Sequence, residues 1–508
     1  MYDKIITKTR TRTDTELRNF DHNRFFFRKM NTRKDFLYLQ LADRIEALIS
    51  NGTYTIGDKL PSVRSLHEEH GVSISTALQV YLHLERKGWV EAREKSGYYV
   101  HYSRETMPRL PKVSDPAKTA SIVNISGRVA IIRHTTGRKG MISLIGASPH
   151  LSLLPVNKLN KALRQAAREE KTTYIPYGDI DGHLPLRRHI ARHSLAWGGS
   201  VAADDMVVTN GAIEAITICL RTIAKAGDTI AIESPTFFGL LQAIENLGMK
   251  ALEIPTDPVT GISLDHLEDA FRRKKVAACL FISNYSNPLG CLIPDDAKKQ
   301  LARMIEKYNI PLIEDDVYGD LHFAPERPRA IKSYDRADLV LYCSSYSKNI
   351  AAGLRVGWII NRRYHDRLAQ MKFMSSAGTG MLPQLVFTRF LDQQRMDLHL
   401  KPLRQALHVQ TLQMTRAIQQ YFPADTRLTR PQGGMSLWAV LPRKVDSWAL
   451  HRQALDHHIT FTPGTLFSSQ DKYNHCLRLS NANPLDDDQT WAIQMLGKLI
   501  QKQLDSGS

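Results

Sequence analysis

Cysteine is scarce in this chain, five in 508 residues, and Cys219, Cys279, Cys291, Cys343 and Cys476 stand in no metal-ligand spacing. That excludes a disulfide-stapled scaffold and a zinc module, and it fits reduced thiols in a cytoplasmic protein. No apolar run reaches the roughly 18 residues a membrane helix needs, and no signal-type apolar segment opens the chain. No internal repeat stands out. Acidic side chains are outnumbered, 51 against 68 basic ones, for a net charge of +17. Such an excess favours polyanionic partners, but the basic residues are spread too evenly to locate a site. The length exceeds the usual single-domain size and can enclose a large core.

Residues 1–29 are rich in Thr and Arg without a helical stripe, and are expected to be disordered or an upstream extension ahead of Met30. A first folded part is expected over 30–103. Leu41, Ile45, Leu48 and Ile49 recur at helical spacing until Asn51-Gly52. Ser62 is placed to cap a short helix to about His70, and Ser73, after the turn at Gly71, to cap a second. In that second helix Ala77, Val80, Tyr81 and Leu84 line one face and Ser75, Thr76, Gln79 and His83 the other. Hydroxyls, an amide and an imidazole suit contacts to base edges and phosphates in a major groove, as they also suit a solvated helix. Val90 to Val100 reads as two short strands around a basic turn, with Gly97 at the turn. Residues 104–140, with Pro108, Pro111 and Pro116, are expected to be a linker whose last part, Ile122 to Ile132, packs on a larger domain. That large α/β domain is expected over 141–503.

The large domain carries its chemistry in order. Cys343-Ser-Ser-Tyr-Ser-Lys348 followed by Arg355 puts an amine beside two hydroxyls, Ser345 and Ser347, and a guanidinium, a set suited to a phosphorylated aldehyde. Ile310 to Glu314 is an apolar strand running into Asp315, Asp316 and Tyr318, where an acid can meet a protonated ring nitrogen. Leu280 to Ser286 is another strand, closing on the turn Asn287-Pro-Leu-Gly290. Met206-Val-Val-Thr-Asn-Gly211-Ala212-Ile213 is a strand, a glycine turn and a helix start, which aims free N–H groups at an anion. Pro235-Thr-Phe237-Phe238 offers a ring for stacking, and core packing is an equally available role for either Phe. Near the end, His475-Cys-Leu-Arg478 is a short strand with one arginine, a planar fork for a carboxylate.

Together these segments resemble fold-type I pyridoxal-phosphate (PLP) aminotransferases. The resemblance implies PLP attached through Lys348, with Asp315 rather than Asp316 on the ring nitrogen. Asn287 would hydrogen-bond the phenolic oxygen, Tyr318 would accompany Asp315 at the cofactor through the family's three-residue spacing, and Phe237 would stack on the ring. The phosphate would fall to Gly211, Ala212, Ile213, Ser345, Ser347 and Arg355, aided by Tyr177 reaching across from a second subunit. Ala212 and Ile213 can offer only backbone there, so phosphate binding leans on the serines and Arg355. Arg478 would clamp a substrate α-carboxylate. No metal is implied.

The first part resembles the winged helix-turn-helix of GntR regulators, through Leu60-Pro61-Ser62-Val63-Arg64. That implies double-stranded DNA as partner, with Arg64, Ser73, Ser75, Thr76, Gln79 and Gly97 at the interface. Many relatives have arginine where Ile74 and Leu78 stand here, so their sequence preference does not transfer. The fusion is similar to the MocR subfamily of bacterial transcription regulators, in which the aminotransferase-like domain serves as sensor and dimerisation scaffold. A PLP-binding homodimeric regulator with an amino-acid effector is therefore expected. The alternatives are a working aminotransferase that acquired a DNA-binding part, for which Lys348, Asp315, Arg355 and Arg478 are all present, and a scaffold with a dead pocket.

Overall fold

The computed structural model describes residues 37–506 apart from 51–52, 55–56, 94–95, 101–107, 118, 137–139 and 147. The expectation for 1–29 lies outside these residues, as does the tip of the basic turn at 94–95. The chain divides into two units between Glu105 and Thr106, each with its own core.

In the smaller unit, α1 (Leu37–Ser50), α2 (Val63–His70) and α3 (Ile74–Arg86) precede a hairpin of β1 (Val90–Arg93) and β2 (Gly97–Val100). The apolar stripe read in α3 is its inner face: Ala77, Val80, Tyr81 and Leu84 are fully buried, against Leu41, Ile45, Leu66 and Val100. Each such Leu or Val contributes about 1.5–3 kcal/mol relative to exposure. The Tyr81 ring stacks on Tyr98 at 4.3 Å, and its hydroxyl donates to the Pro61 carbonyl, which fixes the hairpin and the approach to α2 on one residue. One expectation fails here. His83 does not share the outward face but is buried, edge-on to Tyr38 at 5.9 Å, because α1 covers that side of α3. Burial, with Arg86 and Lys87 adding, pushes its pKa down to about 3, so it is neutral.

The larger unit opens with β3 (Ser121–Ile122), α4 (Ser126–Thr136), β4 (Ile142–Ser143), α5 (Val156–Glu169) and α6 (Leu184–His193). Then come β5 (Met206–Thr209), α7 (Ala212–Ile223), β6 (Thr229–Ser234), α8 (Phe238–Asn246), β7 (Lys250–Asp257) and β8 (Gly261–Ile262). The alternation continues through α9 (Leu264–Arg272), β9 (Ala278–Phe281), α10 (Asp295–Tyr308), β10 (Leu312–Asp315), β11 (Val340–Ser345) and β12 (Gly357–Ile360). These strands form a nine-stranded sheet in the order β3-β7-β6-β9-β10-β11-β12-β5, with β8 on β7. β7, β6, β9, β10 and β11 run parallel, β12 runs against them, and β5 runs against β12. The carboxyl ends of β5, β6, β9, β10 and β11 therefore lie along one edge, where an open α/β sheet places ligands. Strands buried on both faces explain the near-continuous apolar runs. A smaller antiparallel sheet, built from 427–428, 436–440, 476–480 and 462–463, carries Arg478 on its third strand.

The expected linker of 104–140 needs correcting. From Pro108 onward the described chain is built onto the larger unit: the Arg109 carbonyl accepts from Leu428 N at 2.9 Å and Ser114 Oγ from Thr256 N at 2.9 Å. β3 pairs with β7, and Val123, Ile125, Val129 and Ile132 are buried in the main core. Val123 and Ile125 lead into α4, and Val129 and Ile132, three residues apart, lie on one face of it; the core covers this apolar surface, whereas a tether stays in water.

Candidate functional site

Ser62 and Ser73 cap α2 and α3, accepting from Ser65 N and Thr76 N, each at 3.0 Å. Ser73 Oγ also lies 2.8 Å from both Ser75 Oγ and Thr76 Oγ1, so these three hydroxyls form one cluster at the start of α3. Gln79 is half-buried, and Arg64 stands exposed on the first turn of α2. Gly97 opens β2 at φ +109°, a conformation that side-chain-bearing residues rarely adopt. Beside it, the Arg93 guanidinium lies 4.2 Å from the centre of the Tyr99 ring.

At the sheet edge of the larger unit, Asp315 ends β10 opposite Cys343, and Ser345 ends β11 two residues further on. Glu314, Asp315 and Asp316 are all buried, but only two of them are met by donor side chains. Glu314 accepts from Ser283 Oγ at 2.5 Å and from the amides of Ile331 and Lys332. Asp316 accepts from Arg327, Tyr342 and Asn284 at 2.7–2.9 Å. Asp315 takes only the Val317 amide, at 3.3 Å. Burial pushes it up to about 7, with Asp316 adding and Lys348 opposing.

Lys348 sits in the same pocket, its Nζ 5.8 Å from the centre of the Tyr318 ring. Burial lowers its pKa to about 8, with Asp315 opposing and Arg478 and Arg355 adding. The neutral, nucleophilic form of the amine is thus more populated near neutrality than in an ordinary lysine. Asn287 Nδ2 donates to Tyr318 Oη at 3.4 Å, and its Oδ1 is buried without a partner. Arg478 is buried and meets no carboxylate: Nη2 donates to Thr462 Oγ1 at 3.2 Å, while Nε has no partner. Burial drives its pKa down to about 10, against the pull of Tyr318.

β12 brings the third part of the site. Its pairing sets Ser345 opposite Gly357 and Gly357 opposite Thr209, so the lysine loop and the Gly211 turn become neighbours. Arg355 reaches across, donating to the Asn210 carbonyl at 3.0 Å and to Ser347 Oγ at 3.3 Å. Gly211 is at φ +87°, where a side-chain-bearing residue is strained, and a Cβ there would lie 2.2 Å from Arg355 Nη2 and displace the guanidinium. α7 then starts at Ala212 without a side-chain cap, its first amides directed at the space beside Arg355 and the serines. Phe237 precedes α8 with its ring partly exposed, 4.6 Å from that of Phe238.

Lys348, Asp315, Tyr318, Asn287, Ser345, Ser347, Arg355, Gly211, Ala212, Ile213 and Arg478 are thus brought to one edge. Tyr177 is not: it is 90% exposed. Three supports escaped the sequence reading. Thr462 orients Arg478. Glu214, in an ion pair with Lys372 at 2.7 Å, accepts from Asn210 N and fixes the Gly211 turn. Arg327 bridges Asp316 and Asp320, and Asp320 holds Asn349, next to the lysine, at 3.0 Å. A motif could have flagged Asn349 by adjacency, but nothing local marks Arg327.

These residues fit a phosphorylated pyridine aldehyde. A free buried carboxyl, an amine, a cationic cup beside an uncapped helix start and an unpaired guanidinium answer its ring nitrogen, aldehyde, phosphate and partner carboxylate in turn.

The family model for aminotransferase class I and II matches residues 145–495, and that for bacterial regulatory proteins of the gntR family matches 37–100. Two HTH-type transcriptional regulators of Escherichia coli K12, both described as uncharacterized, match almost end to end. YjiR is 35% identical, covering 93% of this chain and 100% of its own. YdcR is 34% identical, covering 92% and 99%. Among solved structures, LysN, the α-aminoadipate aminotransferase of Thermus thermophilus in complex with N-(5'-phosphopyridoxyl)-L-leucine, is 28% identical with a TM-score of 0.69. It covers 74% of this chain and 95% of its own. This chain belongs to the aminotransferase class I and II family and, with its gntR-type amino-terminal unit, to the MocR subfamily of transcriptional regulators.

Proposed function

We propose that the chain is a DNA-binding transcriptional regulator that binds PLP in its larger unit and senses an amino acid there. The observation that carries this reading is the buried cluster of Lys348, Asp315 and Arg478, kept complete in a chain that also carries a winged helix. PLP supplies an aldehyde for an amine and a ring that withdraws electrons. Everything else is done by the chain. Lys348 would offer its amine, and Asp315 would accept a hydrogen bond from the protonated ring nitrogen and so keep the proton on it. Asn287 and Tyr318 present an N–H and an O–H at one face of the pocket. Arg355, Ser345, Ser347 and the amides of Ala212 and Ile213 hold the phosphate. Phe237 covers the ring, and Arg478 orients the effector through its carboxylate.

The Tyr177 loop, with Ile175 72% and Tyr177 90% exposed, is available to a second subunit, and we assign it to the phosphate of the partner in a homodimer. In the smaller unit Arg64, Ser73, Ser75, Thr76, Gln79 and Gly97 form the DNA face. The cytoplasm is the compartment in which this function operates. Among the described residues the five cysteines are free and buried, and no helix is long and apolar enough to cross a membrane.

The test is chemical. Wild-type protein incubated with PLP and then reduced with borohydride should carry the cofactor covalently on the peptide containing Lys348. Lys348→Ala should carry none while keeping the same thermal unfolding profile. Labelling of Lys348→Ala to the wild-type extent would overturn the assignment.

A further inference from the structure

α3 is unusual for a helix that faces a polyanion. From Ile74 to Leu84 it contains no Asp, Glu, Lys or Arg, and its one ionisable group that could carry charge near neutrality, His83, is buried and neutral. With Ala77, Val80, Tyr81 and Leu84 turned inward, the outward surface of the first two turns consists of Ile74, Ser75, Thr76, Leu78 and Gln79. Ile74 is 55% exposed at the very first helical position. Ile74 and Leu78 are four residues apart and so lie one above the other, with Ser75 and Gln79 beside them.

That surface has a definite complement in duplex DNA. Guanine is read in the major groove by a bidentate Arg or Lys, and α3 offers neither on this face. Adenine is read by an amide through N6 and N7, and thymine by apolar contact with its C5 methyl. We infer that α3 reads half-sites built on A·T pairs, with Gln79 on an adenine edge and Ile74 and Leu78 against thymine methyls. Arg64, on the neighbouring helix, then serves a phosphate and carries no base preference. Ser73 and Thr76 are occupied with the helix cap and keep the first turn in place. This inference rests on the DNA-binding reading above and names the sequence class that it implies.

The full chain loaded with PLP is used to select duplexes from a randomised pool, and the enriched site is then altered atom by atom. Half-sites anchored on A·T pairs are expected. Replacing a contacted thymine by uracil, which removes only the methyl, should weaken binding roughly fourfold. In Ile74→Ala, whose side chain is exposed and not part of the core, that penalty should vanish at one position. Gln79→Ala should cost roughly tenfold at one adenine and leave the other positions unchanged. Half-sites anchored on guanine, or a wild-type protein indifferent to uracil, would overturn the inference while leaving DNA binding intact. If no duplex is enriched at all, the DNA-binding reading itself falls.

Discussion

Three acids in a row, Glu314, Asp315 and Asp316, have three different fates, and donors decide which is which. Glu314 is taken up by Ser283 and two amides, Asp316 by Arg327, Tyr342 and Asn284, while Asp315 has one backbone amide. A buried carboxyl without a side-chain donor is held up near neutrality until a donor arrives, even with the Lys348 charge opposing. The three-residue spacing of Asp315 to Tyr318 was legible in the sequence. The side-chain donors that occupy Asp316 were not, because Arg327 comes from a loop that no periodicity describes. Arg478 is the mirror case, a buried guanidinium with no carboxylate and one nitrogen without a partner. Arg478→Ala should therefore weaken an amino acid that binds there by about 2–4 kcal/mol while PLP uptake stays unchanged. Titration of the PLP-loaded protein with amino acids, followed by absorbance, checks this. Equal affinities in both proteins would assign the carboxylate to another residue.

The elements that position the site follow rules the sequence displays well. β9 and β10 are short apolar runs closing on polar residues, and that is why their ends could be placed at a ligand-bearing edge. α2 announces itself by a serine cap, and α3 by a serine cap and an apolar stripe. Helical spacing alone did not tell that α1 covers His83, since burial on a second side is a tertiary fact. The segment around Val123 to Ile132 was half-legible: its apolar spacing was visible, but Pro108, Pro111 and Pro116 read as a tether when they lie along the larger unit. Because Ser73 caps α3 and gathers Ser75 and Thr76, its hydroxyl matters twice. Ser73→Ala should lower the stability of the smaller unit by about 1 kcal/mol. Chemical denaturation of the full chain, read by the Trp89 fluorescence change against a Trp89→Phe control, measures it. A shift of the larger unit's transition instead would show that the cap is not what α3 depends on.

At the scale of the molecule, one chain joins a unit fitted to DNA with a unit fitted to a phosphorylated aldehyde and a carboxylate. The basic balance of the chain, +17 overall, favours the first partner without locating it. What makes the combination a regulator is linkage: a ligand that binds two arrangements of the protein unequally must change DNA affinity, and DNA must change ligand affinity by the same factor. An enzyme with an appended DNA-binding part would show no such factor. In the homodimer proposed above, the arrangement would have something to alter, since two winged helices on one scaffold would meet paired half-sites only at certain spacings. The most direct test is a reciprocal titration at fixed salt, measuring affinity for a selected duplex without and with saturating PLP and amino acid, and affinity for the amino acid without and with saturating duplex. The account predicts the same change in both directions, of roughly 5-fold or more. Affinities that are unchanged in both directions, in a protein that turns amino acids over at roughly 1 per second or faster, would contradict it.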